Sequence, residues 1–373
     1  MKPFLTLLLD SYRGLRSETI FWVTVGLSLL VAVIFLSIGF NDKGISIFFG
    51  AKTWENEMMV KGSPLAFVTY VMIFTNFVAG GWLTFIAIIL ALISCASIFP
   101  DAMKEGSAGM LMTKVPSRLH VFLAKLTGSL FFVLIQVGLF VIIVFLAFRW
   151  RLGVWNFSLF WYVPAVLLVF LNLYSFMVLI GVKTRSVMTS IMLTMLLWGI
   201  SASINWAIGL VGMNYQMSQY EYGVGESVVL EQKEEVPSEE DPQADVTAEV
   251  EVEEEGPNDD WGSERTVRKK VEGDESLKSW IDTLKLVHSF FPKNAPIMAA
   301  AEKKLVMDGI AGFGDVSEFE RASTSTGEEN EELEEAMKEI SGEDSFFYSI
   351  GTSCIFAFVM LSLAGWSFCR KDL

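Results

Sequence analysis

The sequence predicts an all-α integral membrane protein, with six transmembrane helices, an amphipathic N-terminal interfacial helix, and a large acidic extracytoplasmic loop between spans five and six. Three observations predict it. First, 52% of the 373 residues are hydrophobic and only 19% are charged, whereas a soluble domain carries about 25% charge. Second, the apolar residues run in stretches long enough to cross hydrocarbon, and the mean hydropathy is +0.46. Third, the charge is segregated. Residues 221–260 hold 16 acidic residues and one basic one, Lys233, a net of −15 that equals the charge of the whole chain. This distribution excludes a simple soluble enzyme, and it gives no basic surface for nucleic acid.

The N-terminal segment 1–18 reads as a surface helix. Leu5, Leu8, Leu9, Tyr12 and Leu15 recur at helical spacing, with Asp10, Arg13 and Arg16 elsewhere around the wheel. Such a helix lies in the headgroup plane; an extension of the first span is the alternative. The apolar run that follows is too long for a signal peptide and lacks a small-x-small cleavage site. Charge-free stretches then fall at 19–41, 65–100, 126–148, 152–182, 186–220 and 345–369. Each exceeds the roughly 20 apolar residues a spanning helix needs. The second is long for one span and short for two. The preferred reading divides it at Gly80-Gly81 into an interfacial helix over 65–79 and a span over 81–99, with one long tilted helix as the alternative.

Basic residues set the orientation. With the N-terminus inside, the cytoplasmic set is Lys2, Arg13, Arg16, Lys104, Lys114, Arg118, Lys125, Lys183, Arg185, Arg370 and Lys371, eleven in all. The short outside loops hold five, namely Lys43, Lys52, Lys61, Arg149 and Arg151. Both termini are therefore expected in the cytoplasm of a cell whose inner (plasma) membrane carries the protein, with the loop over 212–344 outside. Within that loop, 221–275 is acidic and poor in aromatics, which predicts a disordered tether. It lacks the D-x-[DN]-x-[DN]-G pattern of a calcium loop. Residues 276–344 are expected to be helical. Leu277, Trp280, Ile281, Leu284, Val287 and Phe291 form an apolar stripe that would cap the outer ends of the spans or dock an external partner. A second helix is expected over 297–310 and a charged run over 328–340. The sixth span and a cytoplasmic tail complete 345–373.

The most informative segment follows the second span: FPDAMKEGSAGMLMTKVPSRLHVFLAKLTG, residues 99–128. Asp101 and Glu105 suit a helix N-terminus through the dipole. Gly106 permits a tight bend. Pro116 and Ser117 read as a break and then a helix start. Arg118 and Lys125, seven apart, share one face. Contact with lipid phosphates alone would also explain those two cations.

These residues carry a resemblance to the permease subunits of type-2 ABC transporters. That family shows an acidic residue and Gly-Thr after the second span, then Leu-Leu, Lys-Pro-Val-Ser-Arg, and a Gly-Lys opening the third span. Here Glu105-Gly106-Ser107, Leu111-Met112, Lys114, Ser117-Arg118, Ala124-Lys125 and Gly128 fill those places, and Val115-Pro116 inverts the family's Pro-Val. The resemblance implies a coupling surface over 100–125 (Asp101, Glu105, Gly106, Pro116, Ser117, Arg118 and Lys125) that receives motion from a separate ABC ATPase subunit. It also implies a second permease subunit, identical or not, and the expected role is that of an exporter.

No Gly-Lys dipeptide exists, so the chain has no phosphate-binding G-x-x-x-x-G-K-[ST] loop. H-E-x-x-H and G-x-S-x-G are also missing. The two histidines, His120 and His288, are expected on opposite sides of the membrane, and Cys95, Cys354 and Cys369 read as small helical residues. No enzyme activity, cofactor or metal is expected. The stretches read as span interiors hold no Asp, Glu, Lys or Arg, which argues against an ion-driven carrier and favours a bulky, amphipathic or lipid-like substrate, or force transmission. Asn76, Gln136, Asn172, Tyr174 and Asn205 are polar residues of the kind that hydrogen-bond between helices. The reading from another class is a non-transporting membrane scaffold that binds an extracytoplasmic partner through the acidic loop and the Trp280 helix.

Overall fold

A computed structural model describes residues 19–41, 43–55, 59–60, 63–103, 117–218, 220–224, 266–270, 275–289, 291–311 and 346–370. The N-terminal surface helix, the charged run over 328–340, and Glu105, Gly106 and Pro116 lie outside them. The chain is a predominantly helical membrane protein. Helix α1 is Thr19–Ser37, α2 Leu65–Ala102, α3 Arg118–Leu152, α4 Tyr162–Thr184 after a 3₁₀ turn at Phe157–Trp161, and α5 Val187–Ser218. After the acidic segment come α6, Glu275–His288, α7, Asn294–Ala311, and α8, Phe346–Arg370.

Among the described residues, five helical segments are long and apolar enough to cross a membrane: Leu65–Ala102, Arg118–Leu152, Phe157–Thr184, Val187–Tyr215 and Ser349–Arg370. The first apolar helix is shorter. Its 19 residues extend about 28 Å at about 1.5 Å per residue. Large apolar side chains such as Leu30, Phe77, Leu139, Met192, Trp206 and Phe358 face outward. Water would penalise so much exposed apolar surface; lipid does not.

The helix starts follow local chemistry. Ser63 accepts a hydrogen bond from the Ala66 N–H at 3.2 Å and precedes Pro64 at the first helical position, where proline sacrifices no helical bond. Helix α3 ends at Gly153, whose φ of 79° suits glycine, with Arg149 and Arg151 in the last turn complementing the dipole.

The preferred division of the second stretch does not occur. Leu65–Ala102 is one helical run of 38 residues, matching the long-helix alternative. It passes through Gly80-Gly81 as a π-helix over Phe74–Ala87, and the Thr84 hydroxyl donates to the Ala79 carbonyl five residues back at 2.7 Å. In hydrocarbon, breaking a helix exposes backbone groups that nothing else satisfies, so the glycines widen the winding instead of ending it.

The all-α expectation is amended by two small antiparallel sheets. Strands β1 (Gly39–Asn41), β2 (Gly44–Ile47) and β3 (Lys52–Glu55) form the first, with Gly39 opposite Ser46 and Ile45 opposite Trp54. Gly44, at φ 127°, turns the chain between β1 and β2. Strands β4 (Tyr220–Val224) and β5 (Thr266–Lys270) form the second, with Val224 opposite Thr266. The acidic segment is thus entered and left through one pair of strands, and residues 225–265 lie outside those described.

Helix α4 is the centre of the bundle. Val169, Phe170, Asn172, Leu173, Tyr174 and Ser175 are all buried, so it is enclosed on every side, with α8, α5, α3 and α7 around it. Two aromatic clusters clamp opposite ends. At one end Phe35 of α1, Tyr70 and Phe74 of α2, Phe148 of α3 and Tyr162 of α4 pack with ring centroids 4.5–6.0 Å apart. There Arg151 Nε also donates to the Leu36 carbonyl at 2.8 Å. At the other end Phe99 of α2, Phe122 of α3 and Phe368 of α8 meet at 5.1–6.3 Å.

The π-run generates a paired prediction. A Cβ at Gly80 would stand 3.1 Å from the Thr75 carbonyl oxygen, whereas at Gly81 the nearest atom, the Asn76 carbonyl oxygen, is 3.8 Å away. Gly80→Ala is expected to cost about 1–3 kcal/mol by overpacking, and Gly81→Ala to be neutral or slightly stabilising. Thermal unfolding of the two variants in one detergent checks this.

Candidate functional sites: the Arg118 end and a polar hairpin tip

The structure brings four of the seven sequence-predicted coupling residues to one end of the bundle. Asp101 lies in the last turn of α2 and is exposed. Ser117 caps α3: its backbone is extended, and its Oγ accepts from the His120 N–H at 3.4 Å while also bonding His120 Nδ1. Arg118 and Lys125 are both half-buried. Beneath them sits the Phe99–Phe122–Phe368 cluster, which ties the end of α2 to the start of α3 and the end of α8.

Arg118 does something its spacing did not announce. Its Nη1 donates to the Cys369 carbonyl at 3.3 Å. That carbonyl belongs to the last turn of α8, where C=O groups lack helical partners and a cation is favoured by the dipole. Arg118 therefore joins the first residue of α3 to the terminus of α8. The close approach continues along the pair, since a Cβ at Gly365 would meet the Phe122 ring at 3.5 Å. On the neighbouring side, Gly181 of α4 faces the Pro100 ring at 3.5 Å.

The second site was not expected. Helix α6 does not cap the outer ends of the spans; it runs along α5 into the bundle, and α7 returns against α4, α8 and the 157–161 turn. Three hydrogen bonds fix the depth. Ser201 Oγ donates to the Pro292 carbonyl at 3.4 Å, Asn172 Nδ2 donates to Asn294 Oδ1 at 3.1 Å, and Asn156 Nδ2 donates to the Leu305 carbonyl at 3.0 Å. Ser201 stands fourteen residues from each end of Val187–Tyr215, and Asn172 fifteen and twelve from the ends of Phe157–Thr184. At about 1.5 Å per residue both lie roughly 20 Å from the helix ends. Helices α6 and α7 form a re-entrant hairpin whose tip reaches the middle of the bundle.

The expected apolar stripe of α6 is mostly not its buried face. Ile281 and His288 are buried, while Trp280 is 63% and Leu286 66% exposed. Burial is concentrated at the tip and on α7, at His288, Lys293, Asn294, Ile297, Met298, Ala301 and Leu305. A lysine and a histidine thus enter the bundle although no span carries a charge there. Reading charge along the spans alone missed them. The available signal was length: α6, at 14 residues, falls short of a crossing and is joined to α7 by residues 289–293, and segments this short are candidates for re-entrant helices.

Of the other polar span residues, Asn76 donates to Met72 O within its own helix at 2.9 Å. Gln136 Oε1 and the Tyr174 hydroxyl are buried without a hydrogen-bond partner. Asn172 bonds to the hairpin. Compared with protein-family models, with curated proteins and with solved structures, the chain matches none.

Two outcomes are expected. Ser117→Ala removes the α3 cap and costs about 1 kcal/mol of stability, read by thermal unfolding. In a background with the native cysteines replaced, a membrane-impermeant maleimide labels Trp280→Cys and leaves Asn294→Cys unlabelled; equal labelling would place the tip at the surface.

Proposed function

We propose that this chain is the permease subunit of an ATP-dependent, ABC-type transporter, an exporter driven by a separate ATPase subunit. In this reading α1 is a sixth span, both termini lie in the cytoplasm, the acidic segment lies outside the plasma membrane, and a second permease subunit completes the pathway. The observation that carries it is the residue pattern from Glu105 to Lys125 at the junction of α2 and α3, which resembles the type-2 ABC permeases. Its supporting geometry is mechanical. A push on the Pro100–Lys125 surface meets Phe99, Phe122 and Phe368 together, so it is delivered to α2, α3 and α8 at once. The Arg118–Cys369 bond couples α3 to α8 in the same step, and α8 packs along the central helix α4. ATP binding and release on the partner would then switch the spans between two packings.

The exposed Trp280 and Leu286 favour a second reading, a membrane scaffold that holds an extracytoplasmic partner on α6. The two readings separate cleanly. For the transporter, purification in mild detergent recovers an ATPase with the chain. The double variant Glu105→Gln/Arg118→Gln, still in the membrane, then loses at least about tenfold in transport, a barrier change of about 1.4 kcal/mol, while ATP hydrolysis persists. Unchanged transport in that variant, with function lost on truncating Trp280 and Leu286 to alanine, would favour the scaffold.

A further inference from the structure

The small sheet beside the end of α3 has its polar residues turned inward. In β2 the buried positions are Gly44 and Ser46, and the isoleucines Ile45 and Ile47 are the less buried ones. A strand laid on an apolar bundle ordinarily turns its large apolar side chains toward it, and departures from such a rule mark functional sites. Ser46 pairs directly with Gly39 of β1, and directly opposed residues present their side chains on the same face. That face meets Arg151: a Cβ at Gly39 would stand 2.8 Å from both its Cδ and its Nη1. Ser46 therefore faces the same guanidinium. Tyr70 of α2 lies close enough to Arg151 to feel its charge, and its ring packs edge-on against Phe40, the residue after Gly39, with centroids 6.2 Å apart.

Three donors are thus gathered beside one cation. Ser46 and Tyr70 are each 0% exposed, and the Ser46 hydroxyl, the Tyr70 hydroxyl and Arg151 Nη2 are all buried without a hydrogen-bond partner. The partner of Arg151 Nε, the Leu36 carbonyl, carries no formal charge to balance the guanidinium. Donors left in this state forfeit the bonds they made in water, and together they call for an acceptor-rich, negatively charged group. The rings of Phe49 and Trp150 lie 5.3 and 5.0 Å from the guanidinium. Stacking of this kind covers the faces of the cation and leaves its N–H groups to bond in the plane. Trp150 and Trp155 are 60% and 50% exposed, and exposed tryptophans of membrane proteins gather at the level of the lipid head groups, where phosphate is the abundant anion. We propose that Arg151, Ser46 and Tyr70 form a socket for a phosphate group, carried at this depth by a membrane lipid, with phosphate oxygens accepting from Nη2 and from the two hydroxyls. The three donors are closed over in the described packing, so entry requires the Phe48–Gly50 turn to lift. Phe48 and Phe49 hold φ of 54° and 59°, a region that strains residues with a Cβ, so the cover is held under tension. The socket rests on the geometry of this end of the bundle and not on the transporter reading, which decides only the leaflet that supplies the lipid.

The test uses the full chain in a neutral maltoside detergent, washed until no lipid phosphorus remains. Dodecyl phosphate, inorganic phosphate and dodecyltrimethylammonium are titrated against the wild type and the variants Tyr70→Phe and Ser46→Ala, and the thermal midpoint is followed. Dodecyl phosphate is expected to raise the wild-type midpoint, and each variant to weaken its apparent affinity about tenfold. Before any ligand is added, the same variants are expected to melt at or above the wild-type temperature, because each removes a buried hydroxyl that bonds nothing. A purely structural role for the hydroxyls would move that midpoint down instead. An equal effect of inorganic phosphate also supports the socket and assigns it to a free anion rather than a lipid. No shift with either phosphate, an equal shift with the ammonium amphiphile, an affinity unchanged in both variants, or a lower ligand-free midpoint in both would overturn the proposal.

Discussion

Hydrocarbon offers a peptide group nothing to bond with, and an unsatisfied N–H or C=O there costs several kcal/mol. This constraint shapes every unusual feature of the bundle. The spans are helices because helices satisfy their own backbone. Two consecutive glycines, which would end a helix in water, instead pass within a wider winding that keeps its bonds. Residues 291–293, just before α7, are non-helical backbone near the middle of the bundle. Pro292 and Lys293 are buried, and from two different spans Ser201 bonds Pro292 and Asn172 bonds Asn294.

The elements are fastened by two kinds of contact. The spans are held by interdigitated rings, Phe35, Tyr70, Phe74, Phe148 and Tyr162 at one end and Phe99, Phe122 and Phe368 at the other. In lipid such packing is driven by van der Waals contact rather than by exclusion of water, and it ties several helices at a single point. The hairpin is held by apolar packing of Ile297, Met298, Ala301 and Leu305 and by three side-chain bonds directed at it from the spans. Buried hydroxyls of Ser349 and Ser353 on α8 remain without partners, beside a helix pair that includes α7. The spans thus act as a frame, and the hairpin as an insert held in it by packing and side-chain bonds.

Much of this architecture is legible in the sequence because hydropathy reports directly on solvent. The runs at 126–148, 152–182, 186–220 and 345–369 each coincide with a long helix, and Pro116-Ser117 marks the start of α3, where Ser117 is the cap. The long-helix alternative at 65–100 turned on whether Gly80-Gly81 breaks a helix, and propensities drawn from water misjudge that in a bilayer. The β1–β3 sheet was missed because strands of three and four residues leave too short an alternation to stand out beside the spans. The residue pattern around Arg118 is legible in the sequence; the bond from Arg118 to Cys369 is not, because it joins positions far apart in the chain. The hairpin escaped because it lies in a loop assigned to the outside, and depth is a tertiary property that no window of residues contains.

The β4–β5 pair has an implication for the acidic segment. With Val224 directly opposite Thr266, the chain leaves and rejoins the bundle at neighbouring points, whatever path residues 225–265 take between them. Closure entropy grows only with the logarithm of loop length. That stretch can therefore lengthen, shorten or change composition at little energetic cost while α5 and α6 keep their places. The protein carries a modular insert, a region free to diverge in charge and length without retuning the helices on either side.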